Sequence, residues 1–154
     1  MTDTTETIGL TMTRLLPASP EQVFDAYTDA EKQKTWFSIL DAEPGIVEIE
    51  VDLRVGGEQT TLWGPNRDEL FRETQVFRLI DRPHRLVTTS TGSGPDGITM
   101  TTEIEITFEE QDGGTLMTVV QNGFPNVEMR DFFKTHAWTG AFDRIETYLT
   151  RNSR

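Results

Sequence analysis

Phe71, Glu73, Gln75, Phe77 and Leu79 alternate along one stretch and set one carboxyl and one carboxamide among apolar side chains. In an extended chain these residues share a face. The opposite face carries Arg72, Thr74, Val76, Arg78 and Ile80. Burying two guanidiniums costs more than burying one carboxyl and one amide, so the Glu73 face is the expected inner one. A carboxyl desolvated there takes a raised pKa unless a cation such as Lys134 offsets it. Such a group suits a general base or a hydrogen-bonding anchor for a ligand. A strongly curved strand that carries Glu73 to its edge and to water is the alternative, and the sequence leaves both open.

Other chemistry finds less support. His84 follows Pro83 in a turn and His136 lies on the last helix, far apart in sequence. A metal site needs three or four convergent ligands, so both histidines are expected at the surface and no metal or other cofactor is expected. Glu48, Glu50 and Asp52, like Glu103 and Glu105, alternate with apolar residues and read as a solvated sheet face, and Glu109 and Glu110 abut a turn. Ser19, Ser38, Ser90, Ser93 and Ser153 lack the strand-to-helix setting of a nucleophile elbow. No glycine-rich loop joins a strand to a helix as a phosphate cradle would. Trp36, Phe37, Trp63, Phe71, Met100, Trp138 and Phe142 are the apolar candidates for a pocket wall, with ordinary core packing as the competing reading. With Glu73 and Gln75 they form the expected ligand-binding set, and Glu73 is the one weak catalytic candidate.

These residues need elements to position them. Thr7–Leu16 reads as a strand. Ser19, Pro20 and Gln22 form a helix start with a capping box, followed by Val23, Phe24 and Tyr27 on one face. Asp29 caps a second short helix over 30–34 that ends near Trp36 and Phe37. Val47, Ile49, Val51, Leu53 and Val55 alternate with Glu48, Glu50, Asp52 and Arg54, a strand with one wet face. Gly56-Gly57 then marks a hairpin tip or a bulge, and Glu58–Trp63 runs back. Strands follow over Leu70–Ile80, Arg85–Ser90, Ile98–Phe108 and Thr115–Gln121, the last two joined at Asp112-Gly113-Gly114. In the third of these, Ile98, Met100, Thr102, Ile104, Ile106 and Phe108 share a face. A final helix is expected over Val127–Thr150. Trp138, Ala141, Phe142, Ile145 and Leu149 form its apolar stripe. Extended backwards, the stripe meets Lys134, Asp131 and Val127, while Phe132 and Phe133 fall to the sides. Either Lys134 and Asp131 pair at a pocket mouth, or the helix starts late. Hairpin-linked strands imply an antiparallel sheet, whose dry face the last helix covers.

The 154 residues suit a single α+β domain over 1–154, with frayed ends at 1–6 and 151–154. A net charge of −12 repels phosphate backbones and anionic lipid, so neither a nucleic acid nor a membrane surface is an expected partner. There is no cysteine, hence no disulfide or thiol chemistry. No bilayer-spanning stretch and no signal-peptide pattern occurs, which makes a cytoplasmic location the expectation.

The landmarks "SPEQVFDAYTD" (19–29), Trp36, "DLRVGGE" (52–58), "DGGTLMTVVQNGF" (112–124) and "AWTGAFDRIETYL" (137–149), in this order, resemble the activator of heat-shock-protein-90 ATPase homologue-like family of the START-like (SRPBCC, Bet v 1-like) superfamily. The resemblance implies a helix-grip fold, a curved antiparallel sheet of six to seven strands around the C-terminal helix with a cavity between. It implies no universal catalytic residues. Superfamily members bind lipids, hormones and other apolar ligands, and some are aromatases or cyclases. The chain lacks room for the extra N-terminal domain of the full-length chaperone activator. Binding of a small, largely apolar molecule is therefore the first expectation. A cyclase- or hydrolase-like enzyme using Glu73 and a chaperone-interacting module are the alternatives, and a homodimer is left open.

Overall fold

A computed structural model describes residues 8–41 and 45–152. The expected frayed segment Met1–Glu6, Thr7 of the expected first strand, and Ser153 and Arg154 lie outside the described residues. The elements are β1 (Gly9–Leu16), α1 (Pro20–Thr28), α2 (Ala30–Phe37), β2 (Ile46–Val51), β3 (Glu58–Gly64), β4 (Phe71–Asp81), β5 (Arg85–Ser93), β6 (Thr99–Gln111) and β7 (Gly114–Asn122). A continuous C-terminal helix follows as α3 (Val127–Phe132), a π-helical segment (Phe133–Trp138) and α4 (Thr139–Asn152). Helix thus extends into the tail that was expected to fray.

The seven strands form one antiparallel sheet in the order β1-β7-β6-β5-β4-β3-β2. With the helices on its inner face this is the α+β helix-grip architecture. Local sequence sets its corners. Ser19 Oγ accepts from the Gln22 amide while Gln22 Oε1 accepts from the Ser19 amide, the reciprocal cap of α1. Asp29 accepts from the amides of Glu31 and Lys32 at the start of α2. Asp112 (φ 52°) and Gly113 (φ 80°) both take positive φ and close the two-residue β6–β7 hairpin. The core joins Leu16, Val23, Phe24, Leu86, Ile106, Phe108, Met117, Val119, Phe142 and Ile145 from β1, α1, β5, β6, β7 and α4. Arg14 locks β1 to α4, reaching Asp143 at 3.0 Å and Glu146 at 2.8 Å over the Phe142 ring.

Several expectations need correction. β2 ends at Val51, and Leu53 and Val55 are exposed on a loop rather than continuing the strand. That loop crosses to β4: the Gly56 amide donates to the Phe77 carbonyl and the Phe77 amide to the Gly57 carbonyl. Gly56 has φ +86°. Ile98 precedes β6 and is exposed. A bulge between Phe77 and Leu79 shifts the β4–β5 register, so Ile80, not Leu79, packs on the core. Asp131 pairs with Arg130 instead of Lys134. The helix does not start late, because Asn126 caps it through the Met129 amide. The broken stripe has another cause. The π turn holds one extra residue, so Phe133 and Trp138, five apart, both reach the inner side. The Thr139 hydroxyl donates to the Lys134 carbonyl at 2.9 Å within this irregular turn.

Candidate functional site

Cross-strand partners in an antiparallel sheet share a face, so the register orders the inner face in rows. Trp63 pairs with Phe71 at the rim where β3 ends and β4 begins. The next row is Thr61–Glu73–Gly92–Met100, and the next Gln59–Gln75–Ser90–Thr102. Phe77–Thr88–Ile104–Gln121–Leu10 follows and leads into the apolar core. The inner face therefore passes from an aromatic rim, through two polar rows, to a dry interior.

Glu73 is the only ionisable side chain in those two polar rows. Its Oε2 accepts from Ser90 Oγ at 2.7 Å and its Oε1 from Gln75 Nε2 at 3.2 Å. Gln75 Oε1 in turn accepts from Thr88 Oγ1 at 2.8 Å. A carboxylate offers about four acceptor positions, and two are used. Burial pushes the Glu73 carboxyl above its ordinary value, against the opposing pull of the Ser90 and Gln75 hydrogen bonds. Tyr27, stacked on Trp138 at 6.4 Å, stands close enough to feel it: burial first, then the Glu73 charge, drives the Tyr27 hydroxyl far up from its usual value. Tyr27 therefore keeps a neutral hydroxyl within electrostatic reach of the carboxyl. No salt-bridge partner of Glu73 occurs among the described residues, and Lys134 is exposed and does not offset it.

Room for a methyl group adjoins the carboxyl. Gly92 sits directly across from Glu73, and a Cβ built on it would meet nothing nearer than the Arg72 carbonyl oxygen at 3.8 Å. Glu73, Met100, Tyr27, Phe37 and Trp63 all keep accessible surface although they pack inward. The buried amides nearby are satisfied. Gln33 and Gln59 exchange reciprocal amide bonds at 3.1 and 2.9 Å, and Gln121 accepts from Trp138 Nε1 and donates to Thr102, each at 2.8 Å.

The expected site residues fall into two groups. Trp36, Phe37, Trp63 and Phe71 form a continuous aromatic file, with ring centroids 6.1, 6.0 and 5.6 Å apart. The file runs from the buried Trp36, whose Nε1 donates to the Ala26 carbonyl at 2.8 Å, to the exposed Phe71. Glu73 and Gln75 lie one and two rows inward, with Met100 at the far end of the Glu73 row. Trp138 joins them through Gln121 and Tyr27, whereas Phe142 is wholly buried in the core. Sequence reasoning missed Tyr27, Thr88, Ser90, Gly92 and Gln121. Tyr27 carried a signal, its place on the apolar face of α1. Short hydroxyl side chains on strands carry none until the register is known.

Two open grooves lie elsewhere. One of about 710 Å³ runs between the start of α1 and the β4–β5 turn, past Glu21, His84 and Glu110. The other, about 520 Å³, lies beside Asp25, Lys32 and Arg82. Neither is lined by Glu73. Among the described residues no three His, Asp or Glu side chains gather as metal ligands would, and no helix is long and apolar enough to cross a membrane.

A seven-stranded antiparallel sheet gripping a C-terminal helix, with a polar patch and aromatic rim on its inner face, defines a START/Bet v 1-like helix-grip protein. The family model described as Activator of Hsp90 ATPase homolog 1-like protein matches residues 17–150, and the chain belongs to that family. Among solved structures, a putative uncharacterized protein from Rhizobium leguminosarum is similar, at 20% identity and TM-score 0.80 over 95% of this chain and 96% of that one. Mll3558 from Rhizobium loti is similar at 20% identity and TM-score 0.77, over 93% and 97%. Ms6760 from Mycobacterium smegmatis is similar at 23% identity and TM-score 0.71, over 96% and 98%. These likenesses concern the fold. No curated protein matches the chain.

Proposed function

We propose that the protein binds a small, largely apolar molecule between the sheet and the C-terminal helix. The molecule enters past Trp63 and Phe71 and sets a polar end against Glu73. The missing side chain at Gly92, directly across from a carboxyl with unused acceptor capacity, carries this reading. Apolar walls with a few convergent polar groups are the usual composition of small-molecule sites. Native mass spectrometry of the purified protein, read for co-purifying mass, tests it directly. The Gly92→Val variant is the control. Its backbone angle lies outside the positive-φ range and an added Cβ meets only ordinary contact, so the protein should fold while the side chain fills the gap. Bound mass on the wild type that is lost from Gly92→Val supports the site. Equal occupancy of both proteins counts against it.

Catalysis is a second reading, favoured by one observation: Glu73 is half-buried, raised in pKa by desolvation and within electrostatic reach of a tyrosine hydroxyl that stays neutral. A turnover that disappears in Glu73→Gln while binding persists would make the protein an enzyme.

A further inference from the structure

Among the described residues Glu73 meets only neutral donors. Ser90 and Gln75 each give its oxygens one hydrogen bond, and Gly92 across the sheet contributes no side chain. Thr61 faces it from β3, Met100 ends its row on β6, and Tyr27 on α1 lies within electrostatic reach. Arg14 of β1, turned towards α4, is committed to Asp143 and Glu146 there, and no cation is among the influences on the Glu73 carboxyl. Glu73 is half-buried, and a carboxyl partly withdrawn from water without a countercharge is destabilising in its ionised form unless something supplies the charge. The rings of Tyr27 and Trp138 stand on the helix side of the same space, and electron-rich ring faces attract cations. The net charge of −12 also concentrates cations around the whole molecule.

We propose that the ligand class is a hydrophobic amine, whose ammonium group sits on Glu73 beside Tyr27 while its apolar body lies against Met100 and the rim aromatics. This rests on the ligand-binding reading above and specifies it. The ammonium donates to the unused lone pairs of the carboxylate and restores charge balance in the interior. Because burial holds Glu73 protonated to higher pH than an ordinary carboxyl, docking of the cation expels that proton.

The test uses matched probes of one shape: 1-naphthylmethylamine, 1-naphthalenemethanol and 1-naphthoate. Titration calorimetry is run with wild type, Glu73→Gln and Gly92→Val at high salt, which screens the general negative field. The wild type is expected to bind the amine at least tenfold more tightly than the alcohol, and the acid weakest. Near the pH at which Glu73 titrates, the amine's binding heat should vary with the ionisation heat of the buffer, reporting proton release. Glu73→Gln should bind amine and alcohol alike and lose the buffer dependence. Gly92→Val should bind none of the three. Alcohol binding equal to amine binding in the wild type, or an amine preference that survives in Glu73→Gln, overturns the amine assignment and leaves the site standing. Failure of all three probes on the wild type overturns both. Should Glu73→Gln not fold, Ser90→Ala reads the same preference: loss of a donor that favours the ionised carboxyl raises the Glu73 pKa further, so the gap between amine and alcohol should narrow and proton release should move to higher pH, and an unchanged gap counts against the amine assignment.

Discussion

Each pKa unit by which Glu73 stands above an ordinary carboxyl costs the folded state about 1.4 kcal/mol once the pH exceeds both values. The sign follows from proton counting. With a raised pKa, the native state keeps a proton that the unfolded chain has released. Stability is therefore fullest below the ordinary carboxylate range and falls as pH rises towards the raised value. Glu73→Gln keeps an acceptor for Ser90 and removes the titration. Chemical denaturation at a series of pH values should find this variant at least as stable as wild type at neutral pH, with the slope above the ordinary carboxylate range flattened. A less stable variant with an unchanged slope would mean that Glu73 is ionised at little cost. Gly56 and Gly57 separate two further backbone effects. At Gly56 a side chain meets open space but a φ of +86°, so Gly56→Ala should cost about 1–2 kcal/mol. At Gly57 an added Cβ would lie 2.2 Å from the Asp52 carbonyl oxygen, and the loop itself must move. Urea denaturation should rank Gly57→Ala as the more damaging, and the reverse order would refute the clash.

At the scale of elements, the terminal helix shows both the reach and the limit of reading a period from sequence. From Trp138 onward, apolar residues three and four apart define α4 and place Phe142, Ile145 and Leu149 in the core. Upstream, the same period led to Lys134 and Asp131, because a π turn inserts a residue without any compositional mark. The bulge after Phe77 misled in the same way, exchanging Leu79 for Ile80. Corners were more legible than faces, since caps and two-residue turns depend on side chains with local hydrogen-bonding or φ requirements, such as Ser19, Asp29 and Gly113. Two arginines on the other face made an inward Glu73 and Gln75 the favoured orientation, while a curved strand carrying Glu73 to water stayed open, and Glu73 is half-buried. Their partners Thr88 and Ser90 depend on long-range register, which a single strand does not display. The π turn gives an unusual expectation. Deleting Thr135 shortens the Phe133–Trp138 spacing from five to an α-helical four and should leave both rings inward at a cost of about 1 kcal/mol or less, within the range of tolerated changes. Inserting Ala after Thr135 should instead displace Phe133 and α3 from their contacts, including the Phe124–Phe133 pair at 5.2 Å. Thermal unfolding of the two variants, with near-ultraviolet circular dichroism for ring packing, checks this. A deletion more harmful than the insertion would show that the π turn itself holds the helix in place.

Across the whole molecule, polarity is arranged along the sheet rather than simply inside and outside. The acidic residues Glu48, Glu50, Glu103, Glu109 and Glu110 lie exposed, and the far inner face is dry. Between them the rim carries the one tryptophan that is neither core nor fully solvated. Trp36 and Trp138 are 6% and 7% exposed with both indole N–H groups bonded inside the protein, while Trp63 is half-buried between Phe37 and Phe71. Native acrylamide quenching should therefore act mainly on Trp63, and Trp63→Phe should remove most of the quenchable emission. If ligands pass this rim, saturating 1-naphthylmethylamine should protect Trp63 from quenching in the wild type and fail to do so in Gly92→Val, where the inner position is filled. Naphthyl emission is excluded by reading the decrease in quenching constant rather than total intensity. Quenching that persists in Trp63→Phe would place an accessible Trp36 or Trp138 where the fold has a closed core. Protection that is equal in wild type and Gly92→Val would move the binding site away from the Glu73 row and to the outside of the aromatic file.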